Sequence, residues 1–445
     1  MNETGQSRVD EAQPSQPQSP VVAPPAPAPP SAPPAEAPIR WRYAADAWRL
    51  SSRLTPRRID LFLRLRSARA LPRSFRARFA AMRIPDETID LALSQVRGLA
   101  DWMGIWNQTA HAFLSEARRE DGAGRWLEAA VARRNAAMCY HTAHFVTDSN
   151  PRTVRALRAS GIGAFAQAIP KLLPETRRVV FPWRARELPA YFSRPVDAPE
   201  SMPLVVLLNG ATTTKEEMLL WADRFLERGV AVLALDWPGT GEASGEEPLS
   251  ADCDDITDPL LAFAAAEPGL SPDRVVLCGF SLGGAVAIRS AALDRRIAGV
   301  AAVTPPYEPR SWMHYVNPVV QQQLVSLVRD DVLNDAVVES FSLADIMPRL
   351  RAPLLVFGAG RDLVVPPEEA LHLAAAAGDL GTLVWYPEGA HGLYEYVDDW
   401  TGVAAEWIAT LLGPAPQAQS TQVEQPRPAP QTPAFANETV ARLSD

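Results

Sequence analysis

The feature of this sequence that most constrains its fold is the alternation of short apolar runs with helical segments from residue 177 onward. Strands that are apolar throughout are buried on both faces, and strands separated by helices run parallel. The pattern therefore predicts an α/β domain over residues 177–412, with a mostly parallel, doubly wound sheet. The apolar runs that form its predicted parallel strands are 204–208, 230–235, 274–278, 298–303, 353–357 and 383–386.

The preceding block, residues 41–176, has a different pattern. Apolar side chains recur at helical spacing through residues 99–113 and again through 125–145, and no strand-like run interrupts them. Helices with apolar faces need a packing partner. We expect a helical N-terminal domain that caps the sheet domain, joined in that role by an insertion at residues 305–348.

Both ends of the chain have low-complexity composition. Residues 1–40 and 413–445 are rich in Pro, Ala, Gln and Ser. Such segments bury too little apolar surface to offset the entropy lost on ordering. We expect two disordered tails that act as spacers.

Composition excludes several classes of protein. A net charge of −9 argues against nucleic-acid binding. The three cysteines form no CxxC pair, the N-terminus has no apolar signal sequence, and no apolar run approaches the ~20 residues that span a bilayer. The chain is expected to be cytoplasmic and soluble, with a small-molecule substrate and no membrane partner.

Neither a metal nor a cofactor is predicted. His141 and His144 lie one helical turn apart, but no third ligand is spaced to join them, so packing or pocket lining is the preferred interpretation. The segment 236–242 contains Gly-Thr-Gly without the longer phosphate-binding signature. It is interpreted as a turn near the rim of the pocket.

The motif that carries chemistry is Gly-Phe-Ser-Leu-Gly at residues 279–283. It directly follows a predicted strand and precedes a predicted helix, which is the context of a nucleophile elbow. Small residues are needed two positions either side of the serine, because side chains there collide with the neighbouring strand or helix. Ser281 is the predicted nucleophile.

A serine at its ordinary pKa needs a general base, and this elbow requires the chain order serine, acid, histidine. Asp362 and His391 each lie in a loop after a predicted strand, where open α/β sheets place their ligands. Asp379 and Glu388 are the other acids of this region and lie at less suitable positions. The predicted triad is Ser281, His391 and Asp362.

An oxyanion hole needs two backbone amides. One is expected from Leu282, which follows the nucleophile, and the other from the loop after the first parallel strand. Within that loop Ala211 is preferred, since Gly210 lets the chain turn inward.

The segments 209–217, 236–242 and 279–284 together resemble α/β-hydrolases of the family that includes 2,6-dihydroxypseudooxynicotine hydrolase and the fermentation-respiration switch protein. The resemblance implies the α/β-hydrolase fold, a helical cap over a buried pocket, a homodimer, and substrates that are esters or 1,3-dicarbonyl-like ketones cleaved at a C–C bond. An extra carboxylate assists C–C cleavage in the pseudooxynicotine hydrolase. Glu308 is the only acid near the corresponding stretch here.

The sequence thus predicts a serine hydrolase that cleaves an ester or a C–C bond through an acyl-enzyme. Two alternatives stay open: a lyase or acyltransferase of secondary metabolism on the same triad, and a non-catalytic binding protein on the same fold.

Overall fold

The computed structural model describes residues 21–22, 51, 53–145, 151–196, 201–245, 248–329 and 332–413. Its centre is a nine-stranded sheet with the spatial order β1-β9-β8-β7-β6-β4-β5-β3-β2. The strands are β1 (Val21–Val22), β2 (Thr176–Trp183), β3 (Arg186–Ser193), β4 (Met202–Leu208), β5 (Ala231–Leu235), β6 (Leu270–Phe280), β7 (Gly299–Val303), β8 (Leu354–Ala359) and β9 (Gly381–Tyr386).

Strands β4 to β9 pair in parallel, as their continuous apolar character predicts. The antiparallel hairpin of β2 and β3 extends the sheet beside β5. Because the chain steps from β4 outward to β5 and then returns to place β6 on the other side of β4, the direction of winding reverses there. Ligands of open α/β sheets bind at such a switch point, at the carboxyl ends of the strands.

Fourteen α-helices surround the sheet within the described part of the chain. They are α1 (Pro56–Arg66), α2 (Arg73–Ala81), α3 (Asp86–Gln95), α4 (Leu99–Gly122), α5 (Trp126–Phe145), α6 (Pro151–Leu172), α7 (Lys215–Leu219), α8 (Asp223–Glu227), α9 (Thr257–Ala266), α10 (Leu282–Leu293), α11 (Pro318–Val328), α12 (Asp335–Ser340), α13 (Glu368–Ala377) and α14 (Val397–Leu412). Helices α1 to α6 form a helical N-terminal region, and α11 and α12 lie in the segment between β7 and β8.

Two apolar cores lie on opposite faces of the sheet, because successive strand residues point to opposite sides. In β4, Leu204, Val206 and Leu208 enter one core, and Val205 and Leu207 enter the other. The first core is closed by helices such as α9, α10 and α13. The second is closed by α8, α14 and the N-terminal helical region, so the predicted doubly wound α/β fold is confirmed.

Two residues of the N-terminal tail take part in the sheet, which the composition of the tail did not predict. Val21 pairs with Trp385 and Val22 with Val384, antiparallel to β9. Without them β9 is an edge strand with unpaired backbone groups, which readily accept another strand. Apart from Gly413, the rest of both tails lies outside the described residues. Among the described helices, none has the length and apolar character needed to cross a bilayer.

Candidate active site

Ser281 lies at the turn between β6 and α10, with a strained backbone at φ 52° and ψ −122°. Its amide donates to the carbonyl oxygen of Val303 at 2.8 Å, which holds the turn against β7. A Cβ at Gly279 would lie 2.2 Å from the carbonyl oxygen of Gly283, and one at Gly283 would lie 2.4 Å from the carbonyl oxygen of Asn209. Both glycines of the motif are therefore sterically required.

His391 bridges the two other residues of the predicted triad. Its Nε2 lies 3.1 Å from Ser281 Oγ, and its Nδ1 lies 2.8 Å from Asp362 Oδ2. Asp362 follows β8 and His391 follows β9, so the parallel strands bring three distant segments to one edge of the sheet. This is the geometry in which a histidine accepts a hydroxyl proton while a carboxylate fixes its tautomer.

Asp362 is held by its own loop. The carboxylate is 2% exposed, and its Oδ1 accepts hydrogen bonds from the amides of Val364 at 2.7 Å and Val365 at 2.9 Å. Its Oδ2 is left facing His391. Of the two other acids of this region, Glu388 pairs with Arg361 at the surface and Asp379 is exposed.

The loop that carries His391 depends on residues the sequence did not single out. Gly392 has φ 81°, a left-handed conformation that favours glycine, and its amide donates to Thr304 Oγ1 at 3.2 Å. Tyr394 then packs its ring 5.5 Å from that of Phe280, beside the nucleophile. Burial raises the pKa of Tyr394, which keeps its hydroxyl protonated. The glycine after the histidine was the one sequence signal for this turn.

The loop after β4 passes directly against the nucleophile. A Cβ at Gly210 would lie 3.3 Å from Ser281 Cβ. The amide of Gly210 donates to Thr213 Oγ1 at 2.6 Å, so it is already engaged within the loop. Ala211 comes next and lines the cavity together with Leu282. Loop geometry therefore favours the amide of Ala211 over that of Gly210 as the predicted donor.

The segment 236–242 supports that loop from behind and is not among the described residues that line the cavity, so its place near the pocket rim stays a prediction. Trp237 Nε1 donates to the carbonyl oxygen of Asn209 at 2.6 Å, and Thr240 Oγ1 bonds to Asn209 Oδ1 at 3.2 Å. The buried asparagine in turn donates through Nδ2 to the carbonyl oxygen of Thr213 at 2.6 Å. These contacts brace the loop after β4.

A buried ion cluster joins the same two segments. Lys215 is fully buried, and its Nζ lies 2.7 Å from Glu216, 3.0 Å from Asp236 and 2.8 Å from Glu242. Burial alone would lower the pKa of Lys215, but the three carboxylates outweigh it and raise that pKa. Lys215 also donates its backbone amide to Asp236 at 2.7 Å. Removing the cation would leave the buried carboxylates of Glu216 and Asp236 without their cationic partner.

A cavity of about 390 Å³ opens onto Ser281 and His391. Three regions form its wall: the N-terminal helices, the segment between β7 and β8, and the loops of the sheet. Its apolar lining includes Leu63, Leu71, Phe75, Leu99 and Trp102 from the helices and Trp312, Met313, Val316, Val320 and Leu324 from the segment. Among the described residues of the wall there is no carboxylate, and the ionisable side chains are Arg78, Arg361, His391 and Tyr394.

The remaining candidates lie away from the wall. His141 is buried, its Nε2 contacts Glu217 Oε2 at 3.1 Å, and its ring packs 5.3 Å from that of the half-buried His144. Burial, with help from Arg158, holds the pKa of His144 well below its usual range. Glu308 is bound by Arg310 Nε at 2.7 Å and by Ser342 Oγ at 3.0 Å. That carboxylate is outside the described cavity wall.

A mostly parallel sheet with a serine at a strained strand-to-helix turn, followed in the chain by an acid and a histidine at strand ends, defines the α/β-hydrolase class. The alpha/beta hydrolase family matches residues 205–435, just over half of the 445 residues. This chain belongs to that family, as the resemblance implied.

Similar proteins include hydrolases. The 2,6-dihydropseudooxynicotine hydrolase of Paenarthrobacter nicotinovorans is 24% identical over 266 residues, which are 59% of this chain and 71% of that protein. A quorum-quenching protein of Acinetobacter baumannii is 28% identical over 168 residues, 37% of this chain and 54% of that relative, about half of its length. The crystal structure of 2,6-dihydroxy-pseudo-oxynicotine hydrolase superposes with a TM-score of 0.66 at 22% identity, covering 76% of this chain and 95% of that one. This likeness shows the shared fold.

Proposed function

We propose that this protein is a serine hydrolase that cleaves acyl esters through a covalent acyl-enzyme on Ser281. The observation that carries the proposal is that one imidazole, His391, contacts both Ser281 Oγ and the buried Asp362. A histidine used only for packing has no need of a hydroxyl on one nitrogen and a carboxylate on the other.

In the proposed mechanism His391 Nε2 takes the proton of Ser281 as Oγ attacks the acyl carbon. Asp362 keeps Nδ1 protonated and stabilises the imidazolium that forms. The amides of Ala211 and Leu282 bind the oxyanion of the tetrahedral intermediate. The leaving alcohol takes the proton from His391, and water then attacks the acyl-enzyme by the reverse sequence.

The cavity supports an apolar acyl substrate. Its wall is built mainly of aliphatic and aromatic side chains, and its volume of about 390 Å³ is that of a small-molecule site. A second candidate is cleavage of a C–C bond in a ketone, which the similarity to the pseudooxynicotine hydrolase favours. Ester cleavage is preferred because Glu308 is held by Arg310 and Ser342 away from the wall.

The test compares wild type with Ser281→Ala on acyl esters of graded length and on β-diketones. We expect wild-type turnover of esters and a loss in kcat of about 10⁴-fold or more in the variant. Ser290→Ala, the same change on helix α10, is the control and should retain activity. A fluorophosphonate should label Ser281, shown by mass spectrometry of its peptide. Labelling of another serine, or full activity of Ser281→Ala, would overturn the proposal.

A further inference from the structure

Arg78, from helix α2 of the N-terminal region, reaches across to the loop that carries the proposed oxyanion donor. Its Nη2 donates to the carbonyl oxygen of Thr212 at 2.8 Å, and its Nη1 donates to Thr212 Oγ1 at 3.3 Å. Thr212 directly follows Ala211. Since the amide of Gly210 is fixed by Thr213 on the other side, the backbone of Ala211 is restrained from both directions.

The same guanidinium contacts the segment that carries the proposed base. Arg78 Cζ lies 5.4 Å from the centre of the Tyr394 ring, in a cation–π arrangement. Tyr394 comes three residues after His391 and packs against Phe280, the residue before the nucleophile. One side chain therefore contacts both the oxyanion loop (residues 209–214, after β4) and the loop that carries His391.

Arg78 is also charge-compensated. Its Nη2 lies 3.4 Å from Oε2 of Glu217, a fully buried carboxylate on α7, and that same oxygen contacts His141 from α5. The Arg78 side chain is only 11% exposed. A guanidinium that already has a carboxylate, a carbonyl and a hydroxyl as partners is built to hold protein groups in place rather than to receive an anionic substrate.

We propose that Arg78 is a positioning residue, which fixes the oxyanion loop through Thr212 and so makes the rate depend on the N-terminal helical region. This inference rests on the proposed serine hydrolase function. Because the oxyanion develops only on the way to the transition state, a loosened donor should lower kcat and leave substrate binding nearly unchanged.

The test uses the full chain with Arg78→Met, Arg78→Lys and the control Arg83→Met. Arg83 also links the N-terminal region to the connection between β4 and β5, through the carbonyl oxygen of Leu220 at 2.9 Å and through Asp223, but contacts neither loop of the site. The readouts are kcat and KM for a p-nitrophenyl ester, the inhibition constant of an alkyl trifluoromethyl ketone, and the melting temperature.

For Arg78→Met we expect kcat to fall by about 10- to 100-fold, somewhat less than for loss of an oxyanion donor. The trifluoromethyl ketone binds as an oxyanion-like adduct, so its inhibition constant should rise by a similar factor while KM changes little. Arg78→Lys, which keeps the charge but loses the fork geometry, should be intermediate and guards against misfolding of the methionine variant. Arg83→Met should match wild type.

Wild-type kcat and inhibitor affinity in folded Arg78→Met would overturn the inference. So would a raised KM confined to anionic esters with kcat retained, since that result would make Arg78 a substrate-binding group. If Ser281→Ala is inactive in the same assays, either result rejects the role of Arg78 and leaves the proposed serine hydrolase function unaffected. An active Ser281→Ala would instead reject the proposed function itself.

Discussion

The sheet and the N-terminal helical region contribute to the cavity in different ways. The sheet supplies the loops after β4, β6, β8 and β9, and the backbone ladders fix where those loops meet. The helical region supplies apolar wall, and it is held by packing: Phe79, Trp102 and Phe165 enter the same core as Val205 and Leu207 of β4.

The difference teaches that the proposed catalytic groups and the shape of the cavity have separate origins in this protein. The groups proposed to act on the substrate lie at strand ends, where position follows from register. The surface that would select the substrate comes from helices whose placement depends on side-chain fit. Changes in the sheet loops should therefore alter rate or stability strongly, and changes on the helical wall should alter selectivity more modestly.

The largest effect expected on the sheet side is that of Asp362→Asn. The amide can still occupy the loop but holds His391 in the wrong tautomer, so kcat for an ester should fall by about 10⁴-fold with little change in melting temperature. Asp379→Asn, an exposed acid of the same region, is the matched control and should keep full activity. A loss of less than about tenfold in Asp362→Asn would show that another acid orients the histidine.

A large loss of stability is expected for Lys215→Met. It leaves Glu216, Asp236 and Glu242 without their common cation, and breaking one side of a buried ion pair costs about 3–5 kcal/mol in the free energy of unfolding. Arg296→Met removes the ion pairs of an exposed arginine with Asp258 and Asp294 and should cost about 1 kcal/mol or less. Urea unfolding measures both. Equal losses in the free energy of unfolding for the two variants would mean that burial of the cluster does not increase the cost of removing its cation.

The smallest effect, on the helical side, is expected for Phe75→Ala. Phe75 lines the cavity and contacts Phe79 at a ring distance of 5.3 Å, so its truncation enlarges the wall. The ratio of kcat/KM for long over short acyl esters should rise by about tenfold, since one or a few methylenes in an apolar pocket give 10- to 200-fold discrimination. Phe113→Ala, in the same helical region and absent from the described cavity wall, should leave the ratio unchanged. A uniform fall in kcat for all esters would show that the helical wall affects the rate and not the selectivity, against the difference drawn above.

Much of the sheet and of the site was predictable because the signals are local. Continuous apolar runs predict buried parallel strands, and glycines at 279 and 283 around Ser281 predict the strained turn that the structure contains. Chain order and strand ends then suffice to select Asp362 and His391, which the structure brings within hydrogen-bonding distance. The expected homodimer and cytoplasmic location stay predictions.

What the tertiary structure alone decided are the contacts between segments with no common pattern. Arg78 meets Thr212 across 134 residues, and Gly392 meets Thr304 across 88. Neither pair has a spacing or motif that marks it, because such contacts arise from how helices pack on the sheet and not from any local conformational preference. The sequence by itself determined where the groups proposed to react would lie, since strand register and turn sterics are encoded within a few residues. The packed structure decided which distant side chains contact the loops that carry those groups.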